Sequence, residues 1–144
     1  MSALEFSQPF CLSTGTTTLA DQTLGFEWNS DVDNGYRPAG LVRLSSTTVG
    51  SSTVLQDFGK TYATGTATHS MTLYRAASGA LVFSAGSMQF VWGLDDSHEA
   101  PATPVDPNLQ QAMVNLLADM GVQPATLMSG LVAATKSSDT SGPS

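Results

Sequence analysis

Two acidic clusters contain the side chains in this sequence that are best suited to chemistry, and both follow apolar, aromatic segments. The first cluster lies at residues 27–34 and contains Glu27, Asp31 and Asp33, and the second lies at residues 95–99 and contains Asp95, Asp96, His98 and Glu99. The candidate acid–base residues are Glu27 and His98, and the candidate binding residues are Asp31, Asp33, Asp95 and Asp96. Carboxylates in such places transfer protons or bind hard cations through oxygen. Short polar side chains also end strands and form turns without any chemistry, and that interpretation is the more common one. Both interpretations are open for each cluster.

The composition excludes several kinds of metal centre and cross-link. The chain has two His and one Cys, so it has no multi-His or thiolate zinc site and no internal disulfide. The first cluster does not match an EF-hand loop, because Asn34 and Gly40 stand where that loop needs Gly and Glu. An irregular calcium site stays open, but the sequence predicts no metal ligand set. We expect His69 on the face of a sheet, and Cys11 as a small buried apolar residue.

Length and charge limit the classes of partner. The 144 residues suit one domain, and five Lys and Arg against twelve Asp and Glu give a net charge of −7. This balance excludes a basic surface for nucleic acid or anionic lipid. No apolar run approaches the ~20 residues of a membrane-spanning helix. We therefore expect neither nucleic acid nor membrane as a partner.

The middle of the chain predicts strands. Leu41–Val49 reads as one strand that ends at Gly50, and β-forming residues continue from Thr66 to Ala76. A turn at Ala77-Ser78-Gly79 then leads into the apolar run Ala80–Ala85, which predicts a hairpin over 66–85. Because that run is apolar at nearly every position, we expect a strand covered on both faces, as in a layered α/β sheet.

One long helix is predicted at about 107–120. Asp106 suits the N-cap, Pro107 the first helical position and Gly121 the C-terminal end. The apolar residues between them recur with helical spacing and form one stripe. We expect this stripe to pack on the strand that contains Leu81 and Phe83.

Several blocks of the sequence together resemble a known family. These blocks are Leu24–Trp28, Asp33–Leu41, Leu44–Thr48, Ala67–Ala76, Ser78–Phe83, Trp92–Asp95 and Gln111–Pro124. They resemble the C-terminal domain of proteins similar to the large (beta) subunit of N,N-dimethylformamidase. The resemblance implies a three-layer α/β fold like that of class I glutamine amidotransferases, of which this chain is a partial copy. It places the C-terminal part of the family domain at residues 13–134. The N-terminal segment before it (1–12) has no clear assignment, and the Ser-, Asp-, Gly- and Pro-rich end (135–144) predicts a disordered tail or linker.

The resemblance also implies a setting and a cofactor. Such domains are common in long multidomain bacterial exoproteins, so the expected partners are adjacent domains of the same polypeptide, and the expected location is secreted or at the cell surface. Formamidases of this kind are associated with a mononuclear iron held by two Tyr and one Glu. No motif assigns those ligands here, so we expect no cofactor in this chain and place the iron in the intact family domain.

Three functions remain open from the sequence. The first is a non-catalytic structural or interaction module of a large bacterial protein. The second is part of a metal-dependent amide hydrolase site that upstream sequence completes, with Glu27 and His98 facing one pocket. The third is a calcium- or carbohydrate-binding module that uses the two acidic clusters.

Overall fold

The computed structural model describes residues 5–6, 17–25, 27–99 and 104–138. Every strand pairing in these ranges is antiparallel, and the mixture of strands and a helix is consistent with the predicted α/β class. In chain order the elements are β1 (Glu5–Phe6), β2 (Thr17–Thr18), β3 (Val42–Arg43), β4 (Thr47–Gln56), β5 (Thr61–His69), β6 (Thr72–Arg75), β7 (Leu81–Ser84) and α1 (Pro107–Asp119). None of the described helices is long and apolar enough to cross a membrane.

A three-stranded sheet with the order β3-β6-β7 carries most of the strand residues that contact the core. Strands β6 and β7 form a hairpin whose turn is closed by bonds from Ala76 N to Ala80 O and from Gly79 N to Ala76 O, both 2.8 Å long. The hairpin predicted over 66–85 is therefore confirmed in its second part. Residues 66–69 belong instead to β5, which pairs with β4.

Two long predicted strands are each broken in the structure. The chain leaves one sheet for another at Leu44–Ser45, which lies opposite a second break at Ser70–Met71. Leu44 N donates to Met71 O over 2.7 Å, and Met71 N donates to Ser45 Oγ over 2.8 Å. The prediction that Gly50 ends a strand is wrong, because Gly50 lies inside β4 and pairs with Thr66.

Strands β4 and β5 form a long two-stranded hairpin, residues 47–69, which we call the hairpin arm. Its base is buried at Thr47 and His69, whereas nearly all residues beyond the middle are exposed. A bulge interrupts the ladder between Ser51 and Val54. At the far end a short 3-10 turn, Asp57–Gly59, joins the two strands.

The core lies between the three-stranded sheet, the helix and residues 17–25. Its buried apolar residues are Leu19, Leu24, Leu44, Met71, Phe90, Leu109, Ala112 and Leu116. Phe83 of β7 packs against this cluster, and its ring centroid lies 5.7 Å from that of Phe90. The apolar stripe of α1 thus shares a core with the strand predicted to receive it. The expectation that this strand is covered on both faces is wrong, since Val82 is 37% exposed and Ser84 is also exposed.

The helix begins and ends as its sequence predicts. The Asp106 side chain accepts hydrogen bonds from Asn108 N and Leu109 N, and also from Ala20 N over 2.6 Å. Gly121 adopts a φ of 81° directly after the helix, a left-handed conformation that favours glycine. The N-cap therefore does more than begin the helix, because it links the helix to residues 17–25.

Candidate functional site

A cavity opens between residues 27–29 and residues 84–88. The two segments run antiparallel, with a bridge between Trp28 and Ser87 and a 2.8 Å bond from Asn29 N to Gly86 O. The cavity has a volume of about 400 Å³. Its lining residues are Glu27, Trp28, Asn29, Ser84, Gly86, Ser87 and Met88.

Three polar side chains of this cavity are available to a ligand. Within the described part of the chain, Glu27, Asn29 and Ser84 make no side-chain hydrogen bond or ion pair. The Ser87 hydroxyl, by contrast, is engaged, because it donates to Leu24 O. Glu27 is exposed and is the one ionisable residue of the lining. The cavity therefore offers a carboxylate, an amide and a hydroxyl beside an indole ring.

His69 supports this cavity from behind. It lies on β5, as predicted for a residue of a sheet, but its side chain is fully buried. Its Nε2 donates to Ala85 O over 2.9 Å, and its ring stands edge-on to Trp28 with centroids 6.1 Å apart. Burial away from water lowers the pKa of His69 below 6.5, against the smaller opposing effect of the Ala85 carbonyl. Because a Cβ on Gly86 would lie 2.9 Å from Nε2, only glycine fits at that position.

Two carboxylates of the first acidic cluster, those of Asp31 and Asp33, form ion pairs. Asp31 Oδ2 accepts from Arg37 Nη2 over 2.7 Å and from Arg43 Nε over 2.6 Å, and its side chain is only 12% exposed. Asp33 lies 4.0 Å from Arg37 Nη1 and accepts from Gly35 N in a local turn. Asp31 also lines a smaller cavity of about 120 Å³ that shares Asn29, Ser84 and Gly86 with the first. Two guanidinium groups neutralise Asp31, which makes it a poor ligand for calcium.

The second acidic cluster lies outside the lining of both cavities. Asp95 Oδ1 accepts from Ser97 N over 2.6 Å and so closes a turn, and Asp96 is exposed. His98 stacks on Trp92, with ring centroids 5.2 Å apart and planes 10° apart. Within the described ranges neither ring nitrogen of His98 has a hydrogen-bond partner. Glu27 and His98 are therefore not brought together in one cavity.

Comparison with known protein families matches residues 6–104 to the family described as N,N-dimethylformamidase beta subunit-like, C-terminal. The chain belongs to this family. The match ends before α1, so the helix of this dimethylformamidase-like chain lies outside it. No curated protein and no solved structure matches the chain significantly.

The described residues do not fit the iron site that the dimethylformamidase resemblance implies. Tyr36 is exposed in a loop, Tyr62 is exposed on the hairpin arm, and Tyr74 lies on β6 opposite Val82. These three residues occupy separate elements, and no group of three or more His, Cys, Asp or Glu in the described ranges is placed to hold a metal.

Part of the cavity was foreseeable from the sequence and part was not. Glu27 and Trp28 stand together in the chain, so one predicted candidate does line a cavity. Ser84 and Met88 come from the other side of the bridge, and no local pattern pairs residues 27–29 with residues 86–88. A glycine at position 86 beside a short apolar strand was the available signal, since it marks a close approach of backbone to side chain.

Proposed function

We propose that this chain is a non-catalytic interaction module of a larger polypeptide and that its hairpin arm docks on an adjacent domain. One observation carries the proposal. Three large apolar side chains lie exposed together at the far end of the arm: Leu55, Phe58 and Tyr62. Leu55 and Tyr62 are 56% and 69% exposed, and Phe58 is fully exposed. Clustered apolar exposure of this kind is typical of a docking surface.

The end of the arm is held in a shape that displays Phe58. Asp57 and Phe58 have φ values of 50° and 56°, a left-handed conformation that costs a non-glycine residue about 1 kcal/mol or more. Thr61 Oγ1 donates to Asp57 Oδ2 over 2.7 Å, and Lys60 N donates to Gln56 O over 3.1 Å. Strain in a locked turn with no buried residue favours a role outside folding.

The size of the apolar surface favours a partner in the same polypeptide. Burying Leu55, Phe58 and Tyr62 would remove surface on the order of 500 Å² from water. A stable complex of separate proteins buries about 800 Å² on each partner. A domain in the same polypeptide can dock stably with a smaller buried area, because its effective concentration is of millimolar order. We therefore propose that the end of the hairpin arm docks in an apolar recess on a neighbouring domain.

The charge distribution also favours an adjacent domain as the partner of the hairpin arm. The strands β4 and β5 carry no Lys, Arg, Asp or Glu, and residues 57–60 between them carry one Asp and one Lys. A second copy of the chain would bring another net charge of −7, and an anionic membrane would repel the protein in the same way. A neutral apolar recess on an adjacent domain has neither disadvantage.

Hydrogen exchange in the full-length polypeptide tests the proposal. We expect amides 53–62 to be protected, and a Leu55→Ser/Phe58→Ser/Tyr62→Ser variant to lose that protection and gain radius of gyration by small-angle scattering. The matched control is Val32→Ser/Val122→Ser/Val132→Ser, three exposed apolar residues away from the arm. Equal exchange of the arm in parent and arm variant would contradict the proposal.

The proposal also covers the fold of the complete domain and the location of the protein. We infer a three-layer α/β domain like that of class I glutamine amidotransferases, of which the described strands are a part, in a secreted or cell-surface protein. Among the described residues β3 and β7 are the outer strands of the three-stranded sheet, a position from which further strands could extend it. Any iron would belong to the rest of that domain. An experimental structure of the full-length polypeptide tests this inference.

A second candidate function rests on Glu27. Because Glu27 lines the cavity with a free carboxylate, it is placed to act as an acid–base group on an amide that enters there. We expect the full-length polypeptide, supplied with iron, to hydrolyse simple formamides, and Glu27→Gln to lower kcat by about 100-fold. A matched Glu99→Gln variant should keep full activity. Equal kcat in parent and Glu27→Gln would remove this candidate.

A further inference from the structure

The cavity between residues 27–29 and 84–88 has an uncompensated charge. The Glu27 carboxylate has no cationic partner in the described part of the chain. The two nearby guanidinium groups, those of Arg37 and Arg43, are paired with Asp31. The net charge of −7 on the whole chain favours a cationic ligand over an anionic one. A ligand that covers Glu27 therefore stabilises the complex best if it brings a positive charge.

The walls beside Glu27 are suited to an apolar cation. Trp28 lines the cavity next to Glu27 in the chain, and Met88, 66% exposed, lines it from the opposite segment. An indole ring attracts alkylated ammonium groups through its negative face, and a thioether is soft and polarisable. Asn29 and Ser84 add an amide and a hydroxyl for a polar substituent of the ligand.

The cavity is also built to keep its shape. His69 is fully buried against Trp28 and bonded to Ala85 O, and its ring leaves no room for a side chain at Gly86. The backbone bonds between residues 27–29 and 86–88 fix the two walls relative to each other. A site of this kind binds without a large ordering cost.

We propose that this cavity binds a small organic cation with an alkylated ammonium group. The cation lies against Glu27 and Trp28, with Met88 closing the opposite side. The volume of about 400 Å³ is within the range of small-molecule sites. The proposal does not depend on the docking of the hairpin arm. It also differs from the second candidate function, because the ligand proposed here is positively charged and an amide substrate is neutral.

Titration with choline, followed by NMR of the two Trp indole N–H signals, tests the proposal on the chain as it stands. We expect saturable binding with a Kd of about 1 mM, a shift of the Trp28 signal and no shift of the Trp92 signal. We expect Glu27→Gln to weaken binding about 10-fold and raised salt to weaken it as well. The matched control, Glu99→Gln, should bind as the parent does. A melting curve without ligand checks that each variant is folded.

Two neutral probes test whether binding requires the positive charge of the ligand. The first is 3,3-dimethylbutan-1-ol, which has the shape of choline without its charge, and the second is N,N-dimethylformamide. We expect at least 10-fold weaker binding of both. The proposal would be overturned if the neutral alcohol bound as tightly as choline, or if the amide bound and choline did not. It would also be overturned if neither Glu27→Gln nor high salt weakened the binding of choline. So would a shift of Trp92 alone.

Discussion

Leu55 of β4 and Tyr62 of β5 are paired directly opposite each other in the ladder of the hairpin arm, and both are more than half exposed. Paired residues of an antiparallel ladder lie on the same face of the sheet, so these two side chains form one apolar patch. Phe58 lies in the turn between them. Since none of the three contributes to the core, their apolar character is not explained by the stability of the fold.

The strain at the end of the arm predicts that a substitution there stabilises the protein. Asn tolerates the left-handed conformation better than Phe, and the Phe58 side chain contacts solvent alone, so Phe58→Asn should raise the free energy of unfolding by about 0.5 to 1 kcal/mol. Urea unfolding measures the change. The control Phe58→Leu retains the strain and should stay close to the parent. A destabilised Phe58→Asn would show that the turn is not strained.

The ion pairs of Asp31 predict a cost for removing its charge. Asp31→Asn leaves Arg37 and Arg43 without a carboxylate, and because both arginines are partly exposed we expect a loss of about 1 to 2 kcal/mol in the free energy of unfolding. Asp33→Asn, at a residue 68% exposed, should change it by less than about 0.5 kcal/mol. Equal effects of the two substitutions would mean that the ion pairs of Asp31 add no more to the free energy of unfolding than the exposed Asp33 does.

The buried His69 predicts a loss of stability at acidic pH. Its folded-state pKa lies below 6.5, so between the two pKa values the unfolded chain binds more protons than the folded chain. The free energy of unfolding should therefore decrease as the pH falls through 6.5, by at most about 1.4 kcal/mol per pH unit. Urea unfolding between pH 7.5 and pH 5 measures the slope. His69→Gln should flatten this slope, and an unchanged slope in that variant would contradict the assignment to His69.

The tight packing at Gly93 predicts that a single methyl group is costly. A Cβ there would lie 2.6 Å from Leu109 Cδ2 and 2.8 Å from Thr23 Cγ2, so Gly93→Ala should lower the free energy of unfolding by about 1 to 3 kcal/mol. Gly50→Ala is the matched control, because nothing lies within 4 Å of its Cβ position. Urea midpoints compare the two. A tolerated Gly93→Ala would show that α1 can move away from this residue.

The helix was predictable because its signals are local. Asp106, Pro107, the apolar stripe and Gly121 lie within one continuous stretch, and they specify α1 with its N-cap and its C-terminal end. The turn of the β6–β7 hairpin was predictable for the same reason, since the residues that close it are four positions apart. The bond from Ala20 N to Asp106 was not foreseen, because it joins residues 86 positions apart.

The hairpin arm was not predicted, for a physical reason. Its strands consist mainly of Ser, Thr, Ala and Gly. Burial alternates along both strands, but the alternation of apolar and polar residue types that reveals a half-buried strand is therefore weak. The breaks at Leu44–Ser45 and Ser70–Met71 depend on hydrogen bonds between the two breaks and leave no local sign. Of the candidate site residues, the structure brings Glu27 to a cavity and Asp31 to an ion-pair cluster, and no local rule distinguishes these outcomes.

Photo-cross-linking from position 58 tests the docking of the arm most directly. A photoreactive phenylalanine replaces Phe58 in the full-length polypeptide, and mass spectrometry identifies the peptide that it captures. The same probe at Val132, equally free of a role in the core, sets the background. We predict cross-links within one polypeptide to apolar residues of a neighbouring domain. Cross-links to a second copy of the chain or to lipid, or a yield no higher than that from position 132, would contradict the account.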